Sequence, residues 1–388
     1  MKRREFIQNT ALFGAAAGLM GSSLCYAMRG VGKNIYESSS IFLQEKENRN
    51  KKVYEILNST LVINGLDPSV LNERYLTMLQ RGGVNCWHIT MGGLESFSAA
   101  YNFVDEHGDS VAVATTAEDI IQAYKENKIA LIFGWQYADE LVDIRMASDL
   151  PPFKTNLRAF YELGLRITGL AYNVTNYFCG GNVDADIGLT SYGRRLVEEI
   201  HSLGIILDVG GHMSEKAAFE ALEISKGKTV ICSHTNVRAI NDNLRCISDR
   251  LIEAIAKTGG VIGISAINDF HVRNKSHSHT PVSPQTTLEK HLDQYDYVRK
   301  LVGVDHVGLA PDFVEGSSPI PIDQEINEVI WPAESASKGP ILYVKGFEDI
   351  TQLPNVVVGL MERGWSSSDI HKLLGENWLI VYEKVWGS

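Results

Sequence analysis

From Leu61 onward, apolar runs of four to seven residues alternate with longer stretches whose apolar positions recur every three or four residues. The runs are Leu61–Asn64, Val84–Thr90, Ile129–Trp135, Arg166–Ala171, Ile205–Val209, Thr229–Ser233, Val261–Ser265 and Val307–Ala310. Short continuous runs of this kind suit strands buried on both faces, and the three-to-four spacing suits helices with one apolar side. Helices are expected at Thr116–Asn127, Asn156–Leu163, Ser191–Leu203, Ser214–Ser225, Ser248–Thr258 and Thr287–Val302. Ser191, Ser214 and Ser248 read as N-caps, and Gly164, Gly204, Gly259 and Gly303 as left-handed stops before the next strand. Eight strands alternating with helices predict an α/β fold, a (β/α)8 TIM barrel. The competing doubly wound sheet should carry a G-x-G-x-x-G turn after an early strand, and none is present.

The first 50 residues do not join this pattern. Lys2, Arg3 and Arg4 precede a small-residue apolar run from Ala11 to Met20, too short to span a bilayer. Arg3-Arg4-Glu5-Phe6-Ile7 resembles a twin-arginine signal ending near Cys25-Tyr26-Ala27; an ordinary basic-start signal or an amphipathic helix is the other reading. The expected organisation is an export signal at 1–27, a flexible leader at 28–50 and a barrel at 51–388, with a periplasmic location and no membrane span after cleavage. The 388 residues carry a net charge of −11, which argues against nucleic-acid binding because that needs clustered Lys and Arg. Cys86, Cys179, Cys232 and Cys246 show no metal-ribbon spacing; a disulfide is open to them, though Cys86 and Cys232 lie in apolar runs that favour buried thiols.

Barrel chemistry sits at the C-terminal strand ends. There the chain places Asn64-Gly65-Leu66-Asp67-Pro68, Gly134-Trp135-Gln136, Ala171-Tyr172-Asn173, Asp208-Val209-Gly210-Gly211-His212, Ser233-His234 and Ala310-Pro311-Asp312. Two histidines and an aspartate, from the fifth, sixth and eighth predicted strands, face one mouth. Neutral imidazoles bind a borderline cation and a carboxylate takes a proton from water, which makes this a metal-hydrolase constellation. Asp208, inside an apolar strand, is a candidate support for a neighbouring histidine. The histidines at 271, 277 and 279 fall in the polar stretch Asn268–Ser283, which reads as a solvated loop apart from the metal. Trp135 and Tyr177 suit either the pocket or ordinary packing.

Six stretches, in order, carry a family likeness. They are Tyr161–Arg166, Gly188–Arg194, Gly204–Asp208, Ser233–Thr235, Leu301–Gly308 and Asp312-Phe313. Between about Val53 and Glu383 the chain resembles the membrane (renal) dipeptidases, metal-dependent members of the amidohydrolase barrels. The resemblance implies a zinc hydrolase acting on a small amide or dipeptide-like substrate with a free carboxylate. It assigns metal binding to His212, His234 and Gln136, the catalytic proton acceptor to Asp312, and substrate contacts to Arg245 and Tyr172. It also leaves a homodimer open.

The same resemblance exposes a departure. The family holds two zinc ions through a first-strand His-x-Asp, a bridging third-strand Glu and two later histidines. Here Leu66-Asp67-Pro68 replaces His-x-Asp, Gln136 replaces the glutamate, and Tyr172 stands where a substrate-contacting histidine is usual. One zinc per chain is therefore expected. Two further readings stay open: an isomerase, epimerase or lyase working by proton abstraction on the same barrel, and a non-catalytic accessory protein.

Overall fold

The computed structural model describes residues 51–142, 153–184, 186–272, 285–316 and 341–387. The expected export signal and leader, and His277 and His279, lie outside these residues. Nine strands form one sheet: β1 (Ile63–Asp67), β2 (Cys86–Thr90), β3 (Val111–Val113), β4 (Ile129–Trp135), β5 (Leu165–Thr168), β6 (Ile206–Asp208), β7 (Val230–Thr235), β8 (Ile262–Ile264) and β9 (Val307–Leu309). All pairings are parallel, in the order β1-β2-β4-β5-β6-β7-β8-β9. The two end strands meet without a ladder; the Asp312 N–H donates to the Leu66 carbonyl at 3.2 Å across the gap. The barrel is thus nearly closed.

All eight expected strands are present, with ends shifted by up to three residues. The short β3 is additional. It pairs with β4 at Ile129–Leu131, below the point where β5 takes over the same edge at Phe133–Trp135. Its three residues Val-Ala-Val carry too little periodicity to stand out from the turn before them.

The helices α1 (Glu73–Gly82), α2 (Leu94–Glu106), α3 (Ala117–Lys125), α4 (Phe153–Glu162), α5 (Ser191–Leu203), α6 (Glu215–Ser225), α7 (Asp249–Lys257) and α8 (Leu288–Val302) lie between strands. The chain closes with α9 (Leu353–Glu362), α10 (Ser367–His371) and α11 (Asn377–Trp386). Among the described residues no helix is long and apolar enough to cross a membrane. Ser214 and Ser248 cap α6 and α7 as expected, each accepting from a backbone N–H in the first turn. For α5 the cap is Thr190, whose hydroxyl accepts from Gly193 N–H, and Ser191 is the first helical residue. Gly204 takes the left-handed cap conformation, whereas Gly303 pairs a positive φ with an extended ψ and turns the chain without a left-handed cap.

Alternation along β4 sorts the interior. Leu131, Phe133 and Trp135 pack outward with helix residues such as Phe97 and Ala100. Ala130 and Ile132 join Ile63, Cys86, Ile167, Ile206 and Ile231 in a separate inner cluster. Trp135 therefore belongs to the helix layer, ring to ring with Phe97 and Phe160, and not to the pocket. Gln136, one residue on, faces in. Gly65 and Gly308 admit the Trp378 indole of α11, which a Cβ at either position would strike. Cys86, Cys179, Cys232 and Cys246 are free and buried, so no disulfide joins them.

Candidate metal centre and active site

His234 is the penultimate residue of β7, His212 follows β6 by four residues, and Gln136 follows β4 directly. All three are buried. The His212 and His234 Nε2 atoms lie 3.0 Å apart, and Gln136 Oε1 is 2.8 Å from His212 Nε2. The Gln136 amide nitrogen donates to Thr90 Oγ1 at 2.9 Å, and in this orientation its oxygen faces His212.

The protons on those rings follow from their other partners. Ser233 Oγ donates its single hydrogen to Asp208, so toward His234 Nδ1, 2.8 Å away, it accepts. Asn173 Oδ1 receives the Asn182 amide at 2.9 Å and His212 Nδ1 at 2.7 Å, so His212 also donates from Nδ1. Both Nε2 atoms are left as lone pairs. The His212 Nε2 lone pair then faces a second imidazole lone pair and an amide oxygen with no hydrogen among them. Such a set repels itself unless a cation sits between, so the residues fit a metal ion. Burial and the Arg245 charge hold both histidines well below their ordinary pKa, helped by a second imidazole: His234 for His212, His88 for His234. That keeps protons from filling the place. Among the described residues no three His, Cys, Asp or Glu side chains are grouped to hold a metal; the further donor atom beside His212 is the Gln136 amide oxygen.

Asp312 follows β9 with φ of +62°, a left-handed backbone that few residues besides glycine adopt. Its carboxyl accepts from Ser265 Oγ at 3.2 Å, and burial, opposed by Arg245 and that hydrogen bond, pushes its pKa up to about 7. A carboxyl poised there can carry a proton at neutral pH. Arg245 is buried over the Phe270 ring and, among the described residues, makes no salt bridge; its Nη1 has no hydrogen-bond partner. Gly211, at φ +60°, leaves the space its guanidinium occupies. A buried guanidinium with an unused donor is a ready receptor for a carboxylate. Tyr172 stacks on His212 with ring centroids 4.1 Å apart, and burial pushes its phenol up to about 12, so it keeps its hydrogen at neutral pH. Arg245 bears electrostatically on Asp312, Tyr172 and both histidines, and Gln136 Oε1 lies against His212 Nε2, so all six expected site residues gather at one mouth.

The positions of the family's first-strand ligands are filled otherwise. Leu66 is a fully buried strand residue, and Asp67 is turned to structure. Its two oxygens accept from Ser69 N–H and Oγ, Asn64 Nδ2 and the Tyr75 hydroxyl, which leaves no lone pair aimed at the imidazoles. Asp208 supports His234 through Ser233, as its place in the strand suggests.

Two site residues carry no role in the sequence reading. His88 donates from Nδ1 to Gly65 O at 2.6 Å and lies over Gly134, where a Cβ would collide with its ring. Burial lowers its pKa to about 4, so it stays a neutral ring on the neighbouring strand, in register with Ile132. Its inward place can be read from the alternation Cys86-x-His88-x-Thr90. Asn173 is the other; it stands in a strand-end motif, but nothing in that motif marks its contact with His212. The sequence places His271 in a solvated loop; it is buried instead, bonding Ile267 O at 2.8 Å and His291 Nδ1 at 3.0 Å. The polarity of residues 272–283 masks the burial of the one histidine nearest β8. Tyr177 is an exposed partner of Tyr192.

A model of the membrane dipeptidase family (peptidase family M19) matches residues 87–327 and 335–386. A dipeptidase, tcpJ, of Claviceps purpurea is 29% identical over 282 residues; the match takes in 72% of this chain and 56% of that protein. The chain thus spans little more than half the length of this curated relative. Among solved structures, an amidohydrolase from Pseudomonas aeruginosa superposes with a TM-score of 0.74 at 24% identity, over 87% of this chain and 99% of the other. The probable dipeptidase PvdM of the same organism gives 0.71 at 20% identity, over 88% and 99%. At these identities the likeness concerns the fold.

Proposed function

The chain belongs to the membrane dipeptidase family, and from that premise we propose an exported hydrolase that holds one zinc ion on His212, His234 and Gln136 and cleaves a small dipeptide-like amide with a free carboxylate. The observation that carries it is His212 Nε2, which faces His234 Nε2 at 3.0 Å and Gln136 Oε1 at 2.8 Å, beside a buried guanidinium whose Nη1 has no partner. Zinc bound there would polarise the amide carbonyl and bring the pKa of water toward neutrality. The remaining steps fall to the chain. Arg245 grips the substrate carboxylate, Tyr172 covers His212 and offers its phenol hydrogen to the substrate, and Asp312 takes the proton of the attacking water and returns it to the leaving amine. Leu66 and Pro68, which offer no side-chain ligand, and Asp67, whose oxygens are occupied, support a single ion. The twin-arginine pattern at Arg3-Arg4 supports a periplasmic location.

Gln136 favours one second reading. Without a bridging carboxylate, Asp312 and Arg245 can equally serve proton abstraction next to a bound carboxylate, as in an isomerase or lyase. Elemental analysis of the purified chain together with a panel of dipeptides separates the two. One zinc per chain with dipeptide cleavage that Asp312→Asn abolishes is the expected result. Zinc binding with no cleavage of any dipeptide would move the assignment to the second reading, and an absence of metal would overturn both the zinc and the hydrolase.

A further inference from the structure

Asn173 is fully buried on the turn after Tyr172 and holds a left-handed backbone, φ +65°. Asparagine tolerates that region better than most residues with a Cβ, and such a conformation persists where its surroundings demand it. Here those surroundings are a chain of hydrogen bonds whose polarity starts at a backbone carbonyl. Gly211 O can only accept, so the Asn182 group 2.7 Å from it is the amide nitrogen. That nitrogen also donates to Asn173 at 2.9 Å, which must present Oδ1. The same Oδ1 lies 2.7 Å from His212 Nδ1, which must therefore carry the hydrogen. Asn182 N–H returns to His212 O at 2.9 Å, and Val183 N–H bonds Asn173 O at 3.1 Å, so the segment is tied to His212 from both sides.

We infer that Asn173 is a positioning residue that fixes His212 as the Nδ1–H tautomer and aims its Nε2 lone pair toward His234 Nε2 and Gln136 Oε1. This goes one step beyond the zinc reading and, for its effect on affinity, rests on it. Hydrogen-bond partners of ligating histidines typically change metal affinity about 10- to 100-fold when removed.

Asn173→Gly tests this without backbone strain, because glycine adopts the left-handed conformation freely and only the acceptor is lost. Asn173→Asp keeps an acceptor at the same place. Zinc affinity of the full chain, measured by competition with a chromophoric chelator, should weaken roughly 10- to 100-fold in Asn173→Gly and stay near wild type in Asn173→Asp. Imidazole ¹⁵N–¹H correlation spectra of the metal-free proteins should show His212 protonated at Nδ1 in wild type and Asn173→Asp, and a mixture of tautomers in Asn173→Gly. Wild-type affinity and an unchanged tautomer in Asn173→Gly would overturn the inference, as would an Asn173→Asp protein as weak as Asn173→Gly. A wild-type chain that binds no zinc would sink the metal reading, while the spectra would still decide the tautomer.

Discussion

Replacing Asp67 by Asn should change how stability responds to pH. Asp67 is fully buried, and burial outweighs its four hydrogen bonds to lift its carboxyl pKa from 3.8 to about 7. A raised pKa means that the fold favours the protonated acid. That contribution is complete below the unfolded value near 4 and is lost as pH rises through 7. Each pH unit across the interval costs the fold about 1.4 kcal/mol, or roughly 4 kcal/mol in all. Asparagine has nearly the same shape and does not titrate. It sets an amide hydrogen against donors from Ser69, Asn64 or Tyr75, so a pH-independent loss of about 1–3 kcal/mol accompanies the change. Urea unfolding of both proteins at pH 5 and pH 8 isolates the Asp67 part, because other carboxyls cancel in the difference. Between those two values the wild type should lose about 2–3 kcal/mol relative to Asp67→Asn, the share of the interval that lies above pH 5. A difference of equal size at both pH values would refute the reasoning and show that Asp67 stays ionised throughout.

Asp312→Asn should lower hydrolysis by about 10²- to 10⁴-fold, the usual worth of a proton carrier, with little change in substrate affinity; steady-state kinetics on a cleaved dipeptide check this. Gly211→Ala places a Cβ against the Arg245 guanidinium at φ +60°, so it should raise KM for carboxylate-bearing substrates more than for their amides. The combination Leu66→His, Pro68→Asp and Gln136→Glu should raise bound zinc from one ion to two by elemental analysis, since it supplies the ligands the first strand lacks. A reporter fused to residues 1–35 should leave the cytoplasm, and changing Arg3 and Arg4 to Lys should retain it there.

The sequence by itself determined the barrel and the list of residues at its mouth. Strand and helix periods are local consequences of burying one face or two, so the eight runs and their helices could be read without knowing any partner. Once the barrel was expected, strand ends had to meet, and His212, His234, Gln136, Tyr172, Arg245 and Asp312 do meet. The loss of ligands at Leu66 and Pro68 was equally legible, because a side chain without a donor atom has none in any fold. Tertiary structure decided how those residues are aimed and protonated. That Trp135 faces the helices while Gln136 faces inward, that His271 is buried against His291, and that Asp67 is spent on Ser69, Asn64 and Tyr75 all depend on neighbours in space. The tautomer of His212 depends on Asn173, 39 positions away, and through Asn182 on Gly211 O. Hydrogen-bond polarity passes from atom to atom across chain segments, and no periodicity in the sequence records it.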